Sequence, residues 1–259
     1  AVLYGGLQYD LETSAMAEES KKYDLSGLLA MRGEIARGDS IFHYLQGTKE
    51  EIEKIENVLQ INKWQVTPYM GKNGTEESFL NMHGRSPRLL HLATHGFYYT
   101  PNKAEDVDYL KGYTDAMSLS GLVFSGGNAA WLGKPLPKGV LGGILTANDI
   151  ARLDLSNTQM VVLSACQTGQ GKATAEGLYG LQRAFKKAGG GTIVMSLWNV
   201  SDKTTSEFMT TFYERLADKR NAWSKRNAWD RRKAFEEAKE IIRQRYPDPY
   251  RWAAFVMLD

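Results

Sequence analysis

The last third of the chain alternates two hydrophobic periods in a fixed order. Met160 to Ser164 is a short apolar run; Glu176 to Ala188 has apolar residues at helical spacing and stops at Gly189-Gly190-Gly191; Thr192 to Leu197 (TIVMSL) is apolar again. Ser201 to Ala217 reads as a helix capped by Ser201 or Asp202, Trp229 to Tyr246 as a long charged helix stopped by Pro247, and Trp252 to Leu258 as a closing strand. Strands that alternate with helices predict a mostly parallel sheet covered on both faces. In such sheets chemistry is expected at the carboxyl ends of the strands.

Upstream the text is mixed. Glu50 to Leu59 has helical spacing, with Gly47-Thr48 as a cap region; Trp64 to Met70 reads as a short strand, and Thr75 to Leu80 opens with an N-cap signature. Arg88 to Thr94 (RLLHLAT) has the profile of a buried strand that ends in a turn at His95-Gly96. Between Phe97 and Asn148, glycines, prolines and polar residues interleave with short apolar runs, so hairpins and loops are expected there, followed by a short capped helix from Thr146 to Leu155. The expected organisation is one domain over residues 1–259, with an N-terminal part at 1–87 and an elaborated insertion at 97–149.

With 259 residues the chain can bury a large core without a metal or disulfide staple, and 42% hydrophobic with 24% charged residues is globular composition. No apolar run approaches the roughly 18 to 20 residues of a membrane span. The opening AVLYGGLQYD lacks a signal peptide's pattern, so a cytoplasmic protein without membrane contact is expected. The absent initiator Met suggests a piece of something longer. A net charge of +2 gives no electrostatic case for nucleic acid. The local exception is Lys219 to Lys233, where Arg-Asn-Ala-Trp repeats beside basic residues; it reads as a solvated loop entering an amphipathic helix, with an RNA or partner contact as the alternative. A single cysteine, Cys166, excludes a disulfide framework and a cysteine-rich zinc site within the chain, and no metal or cofactor is implied.

The stretch Met160 to Gly177 (MVVLSACQTGQGKATAEG) could be a phosphate loop or a nucleophile turn. A phosphate loop needs a glycine where Cys166 stands and Ser or Thr where Ala173 stands, so that spacing fails. A nucleophilic cysteine needs a strand end, a base and oxyanion donors. Cys166 follows one apolar run and His95 ends another. If the two strands are parallel neighbours, the imidazole can face the thiol, and the Gly96 N–H can serve the substrate carbonyl. His91 reads instead as a packed, hydrogen-bonded core histidine, while His43 and His83 lie in loop-like text. A serine elbow G-x-S-x-G is absent.

Strand, His-Gly, spacer, strand, Ala-Cys is the layout of caspase-like cysteine peptidases such as caspases, legumains, gingipains and separases. HLATHGF and LSACQTGQG resemble more narrowly the CHAT domain, a bacterial branch often appended to tetratricopeptide repeats and related to separase. Glu176 to Asp202, RWAAFVMLD, LYGGLQYD and LQGTKEEIE are similar to further blocks of that group, so the resemblance covers nearly the whole chain. It implies a caspase-like three-layer α/β sandwich and a cysteine endopeptidase. His95 would be the base, Cys166 the nucleophile, and the N–H groups of Gly96 and Cys166 the oxyanion donors. Ser196, Leu197 and Trp198 match the strand that pairs with extended substrate; Trp198, Asn199, Asp202 and Asp149 are candidate pocket walls. The same layout implies a protein or peptide substrate and an N-terminal repeat domain or activating partner outside these residues. Ser164 and Thr168 depart from the caspase signature Gln-Ala-Cys-x-Gly, so a preference for aspartate does not transfer; an acidic wall at Asp149, Asp154 or Asp202 would favour a basic side chain. Two other readings stay open: a latent interaction module that keeps the fold, and a small-molecule acyl hydrolase or transferase using the same pair.

Overall fold

A computed structural model describes residues 1–25, 28, 41–98, 116–164, 175–218 and 230–259. The turn that carries Cys166 and its glycines, part of the 97–149 segment, and Lys219 to Trp229 of the basic repeat lie outside the described residues. Among the described residues, six strands form one sheet in the order β2-β1-β3-β7-β8-β9: β1 (Val2–Leu7), β2 (Thr67–Gly71), β3 (Leu89–Leu92), β7 (Met160–Leu163), β8 (Thr192–Ser196) and β9 (Phe255–Leu258). All neighbours are parallel except β8 and β9. Three further strands, β4 (Gly96–Tyr98), β5 (Ser120–Val123) and β6 (Ile144–Thr146), make an antiparallel sheet that opens at Gly96 and otherwise lies in the 97–149 segment, in agreement with the hairpins expected there. No helix among the described residues is long and apolar enough to cross a membrane.

The strands read as unbroken apolar runs because both of their faces are covered. Leu89, Met160, Val162 and Val194 join Leu3 in one buried cluster, while Leu90, Leu92, Val161, Leu163, Ile193 and Met195 join Tyr4 in the other. The first face is covered by α2 (Gln46–Ile61), α8 (Asp202–Ala217) and α9 (Arg231–Arg245). The second carries α7 (Ala175–Lys187) and the β4–β6 layer. Helices, sheet and mixed layer make the caspase-like three-layer α/β arrangement. At the edge, β2 tolerates Pro68, whose missing N–H would break a ladder in an interior strand.

Several boundaries differ from the sequence reading, each for a local reason. Helix α2 starts at Gln46, so Gly47-Thr48 lies in its first turn, where the Thr48 hydroxyl donates to Leu45 O (2.7 Å). Strand β2 begins only at Thr67, after a turn through Lys63 at φ 65°. The closing segment is not a strand throughout. Asp248 caps a short helix α10 (Pro249–Trp252), with Pro249 in its first turn, and β9 starts at Phe255. Thr75 does cap α3 (Glu76–Leu80), accepting from Ser78 N–H at 3.2 Å. Ser201 is the cap of α8, leaving Asp202 as its first residue. Gly189, at φ 94°, supplies the left-handed turn that ends α7.

His91 is the core histidine its position in the run implied. It is fully buried on the helical face, its Nδ1 lying 3.0 Å from Tyr213 Oη and its Nε2 2.9 Å from Glu51 Oε1. This network ties α2 and α8 to β3.

Candidate active site

The register of the sheet fixes the relation between the two strand ends. Strands β3 and β7 are adjacent and parallel, as the sequence reading required, with Leu92 paired to Leu163. His95 and Cys166 each stand three residues beyond those paired leucines in the sequence. Only the histidine side is described. Thr94 and His95 leave the strand, and Gly96 opens β4 opposite Leu122. Val123 N–H donates to His95 O at 2.9 Å. The alternation of an antiparallel ladder therefore turns the Gly96 N–H away from β5.

His95 is 3% exposed, enclosed by aromatic rings. The Tyr9 ring lies 4.7 Å away at 58° and the Phe42 ring 5.3 Å away at 42°. Tyr9 is itself fixed, its hydroxyl 2.9 Å from Thr94 Oγ1. The His95 Nε2 lies 2.7 Å from the backbone carbonyl of His43. A carbonyl only accepts, so Nε2 carries the proton and the neutral ring has its lone pair on Nδ1. An imidazole held this way can take a proton at one defined atom.

Burial pushes the His95 pKa below its ordinary value; the hydrogen bond to His43 O opposes that shift, and the nearby His43 ring adds to it. Folding therefore favours the neutral ring. Its contribution to stability is complete above the unfolded-state value and is lost as the pH falls through the folded one. In a Cys166→Ala protein, where no thiolate adds its field, we expect His95 to titrate by NMR with a midpoint below the usual value of about 6.5. A midpoint at or above that value would mean the imidazole is solvated.

Beside this histidine a groove of about 750 Å³ opens at the carboxyl ends of β1 and β2. Tyr9 and Phe42 belong to both the groove wall and the His95 enclosure, and Asp10, Tyr44 and Lys49 supply much of the rest. Sequence reasoning missed His43, Tyr9 and Phe42. A backbone carbonyl leaves no residue signature, although an aromatic just beyond the LYGGL strand was a usable signal for Tyr9.

The other candidate residues are spread out. Leu197 is 46% exposed and its N–H donates to Ala254 O (2.9 Å), while Ser196 pairs with Phe255. Trp198 donates from Nε1 to Tyr250 O at 2.8 Å and is half-buried; Asn199 is exposed. Asp202 packs against the first turn of α2, where a side chain on Gly47 would meet its Cβ at 3.1 Å. Asp149 is buried, and its carboxylate accepts from the backbone and hydroxyl of Thr146 in a capping box for α6 (Ala147–Ile150). Asp154 lies before the amino end of β7, at the far side of the sheet from His95. Among the described residues no three His, Cys, Asp or Glu side chains gather as metal ligands.

A sequence model of the CHAT domain matches residues 12–259. The chain belongs to the CHAT domain family. CHAT domains are related to the caspase-like cysteine peptidases, and the mostly parallel six-stranded sheet flanked by helices agrees with that relation. Tetratricopeptide repeat protein 28 of Mus musculus is 32% identical over 117 residues, which is 44% of this CHAT chain and 4% of the mouse protein. The Homo sapiens protein of the same description is 31% identical over 117 residues, again 44% and 4%. The aligned stretch thus spans a small part of these curated relatives.

Proposed function

We propose that this CHAT domain is a cysteine endopeptidase that cleaves protein or peptide chains with His95 as base and Cys166 as nucleophile. The observation that carries this reading is the fixed His95 imidazole: Nε2 is tied to His43 O just beyond a strand whose parallel neighbour is followed, three residues on in the sequence, by the only cysteine of the chain. The Cys166 thiol gives its proton to His95 Nδ1 and attacks the peptide carbonyl; the imidazolium protonates the leaving amine, and water hydrolyses the thioester. The N–H groups of Gly96 and Cys166 receive the oxyanion. Because Leu197 N–H is already bonded to Ala254 O, an extended substrate at Ser196 to Trp198 uses the edge of that segment facing β7. Asp202 remains the acidic candidate for its pocket, since the carboxylate of Asp149 is engaged in a cap. The names of the relatives support a role as one part of a repeat-containing protein.

The burial of His95 favours a second reading for the resting state, in which the site is latent and opens when the wall of Tyr9 and Phe42 moves. Alkylation by iodoacetamide near pH 7, followed by peptide-library cleavage, tests both. An active pair gives a Cys166 that labels at least about tenfold faster than in His95→Ala, because the imidazole raises the thiolate fraction. Equal rates in the two proteins would overturn the dyad. Fast labelling that depends on His95, without cleavage, would identify the latent form.

A further inference from the structure

We propose that Asn128 is a positioning residue for His95, acting through the backbone that carries the His43 carbonyl. The inference rests on the reading of His95 as the base. Residues 41–45 form neither helix nor strand, so their backbone groups have no ladder of their own. Asn128 provides one. Phe42 N–H donates to its Oδ1 at 2.7 Å, and its Nδ2 donates to Phe42 O at 3.0 Å. An N–H can only donate and a carbonyl only accept, so these two partners fix which way the amide points. The rung ends one residue before His43, whose carbonyl holds His95 Nε2.

The same residue grips the opposite wall. The backbone N–H of Asn128 donates to Tyr9 O (3.1 Å), and the N–H of Gly126 donates to Gln8 O (2.9 Å). Gly126 sits at φ 83°, just before the short helix α5 (Gly127–Trp131), a conformation that turns both N–H groups toward the end of β1. Trp131, from the same helix, packs 5.1 Å from the Phe42 ring. Asn128 is 1% exposed, so its amide is not spent on solvent. The two aromatic walls of His95 and the carbonyl that fixes its tautomer thus converge on one residue from the segment between β3 and β7, which holds Tyr9 through its backbone N–H and the Phe42–His43 segment through its side-chain amide.

Side-chain ¹⁵N NMR of His95 in the whole chain tests this independently of activity. The wild type should show a single Nε2–H tautomer with a slowly exchanging low-field Nε2 proton. In Asn128→Ala the low-field signal should be lost and the ring nitrogens should shift toward a mixture of tautomers. Cleavage, where the wild type cleaves, should fall about 10- to 100-fold in kcat with little change in KM, as expected for a misplaced base. A folded Asn128→Ala protein with an unchanged His95 spectrum overturns the proposal whatever the activity. A changed spectrum in a pair of proteins that both fail to cleave upholds the positioning and sinks only the peptidase reading. Hydrogen exchange of the unmodified chain covers the case of a variant that does not fold: the Phe42 amide must be protected, and exchange at the rate of an open loop overturns the clamp.

Discussion

Cys166→Ala is expected to bring cleavage to background, and His95→Ala to lower kcat/KM by about 10²- to 10⁴-fold, the range set by loss of a general acid–base. The two residues act as one unit, so the double variant should be no slower than Cys166→Ala alone. His95→Ala removes a buried ring from between Tyr9 and Phe42, so folding must be checked beside rate. Unfolding curves in urea separate the two effects, since a loss of rate in a protein that keeps its midpoint belongs to the chemistry. His95→Gln offers a second route: its side-chain amide can still donate to His43 O while lacking a base, and it should be as slow as alanine. Full activity in His95→Gln would leave the imidazole with a packing role only.

The histidine was legible in the sequence because an apolar run of a buried strand stops one step before it, and a glycine follows. The cysteine was legible as the sole one in the chain, at the end of a second such run. The β-α-β alternation downstream predicted a mostly parallel sheet, but adjacency of these two strands entered only as a condition, which the pairing of β3 with β7 meets. What holds His95 was not legible. The His43 carbonyl is backbone, its segment has no period, and its clamp comes from Asn128, 86 residues away from Phe42. The same limit explains the closing segment, where Asp248 and Pro249 start a helical turn that runs into Trp252, the first residue of the stretch that apolar content alone assigns to a strand. Local chemistry at a cap outweighed composition there.

The largest loss of stability is expected on the far side of the sheet from the His95 enclosure. Phe208 of α8 is fully buried and stacks face to face on Phe255 of β9, with ring centroids 3.9 Å apart and planes 2° apart. The Phe235 ring of α9 meets it edge-on at 5.5 Å and 76°. One ring therefore joins two helices to the single antiparallel edge strand. Phe208→Ala deletes that junction, and with neighbours on three elements the hole has no simple way to collapse. Its cost is expected at about 3 to 5 kcal/mol, read as a lower urea midpoint at unchanged slope. Because β9 is an edge strand, part of the relaxation can come from β9 moving inward. A cost under about 1.5 kcal/mol would show that it does so freely, and that β9 is held by its ladder to β8 rather than by the aromatic stack.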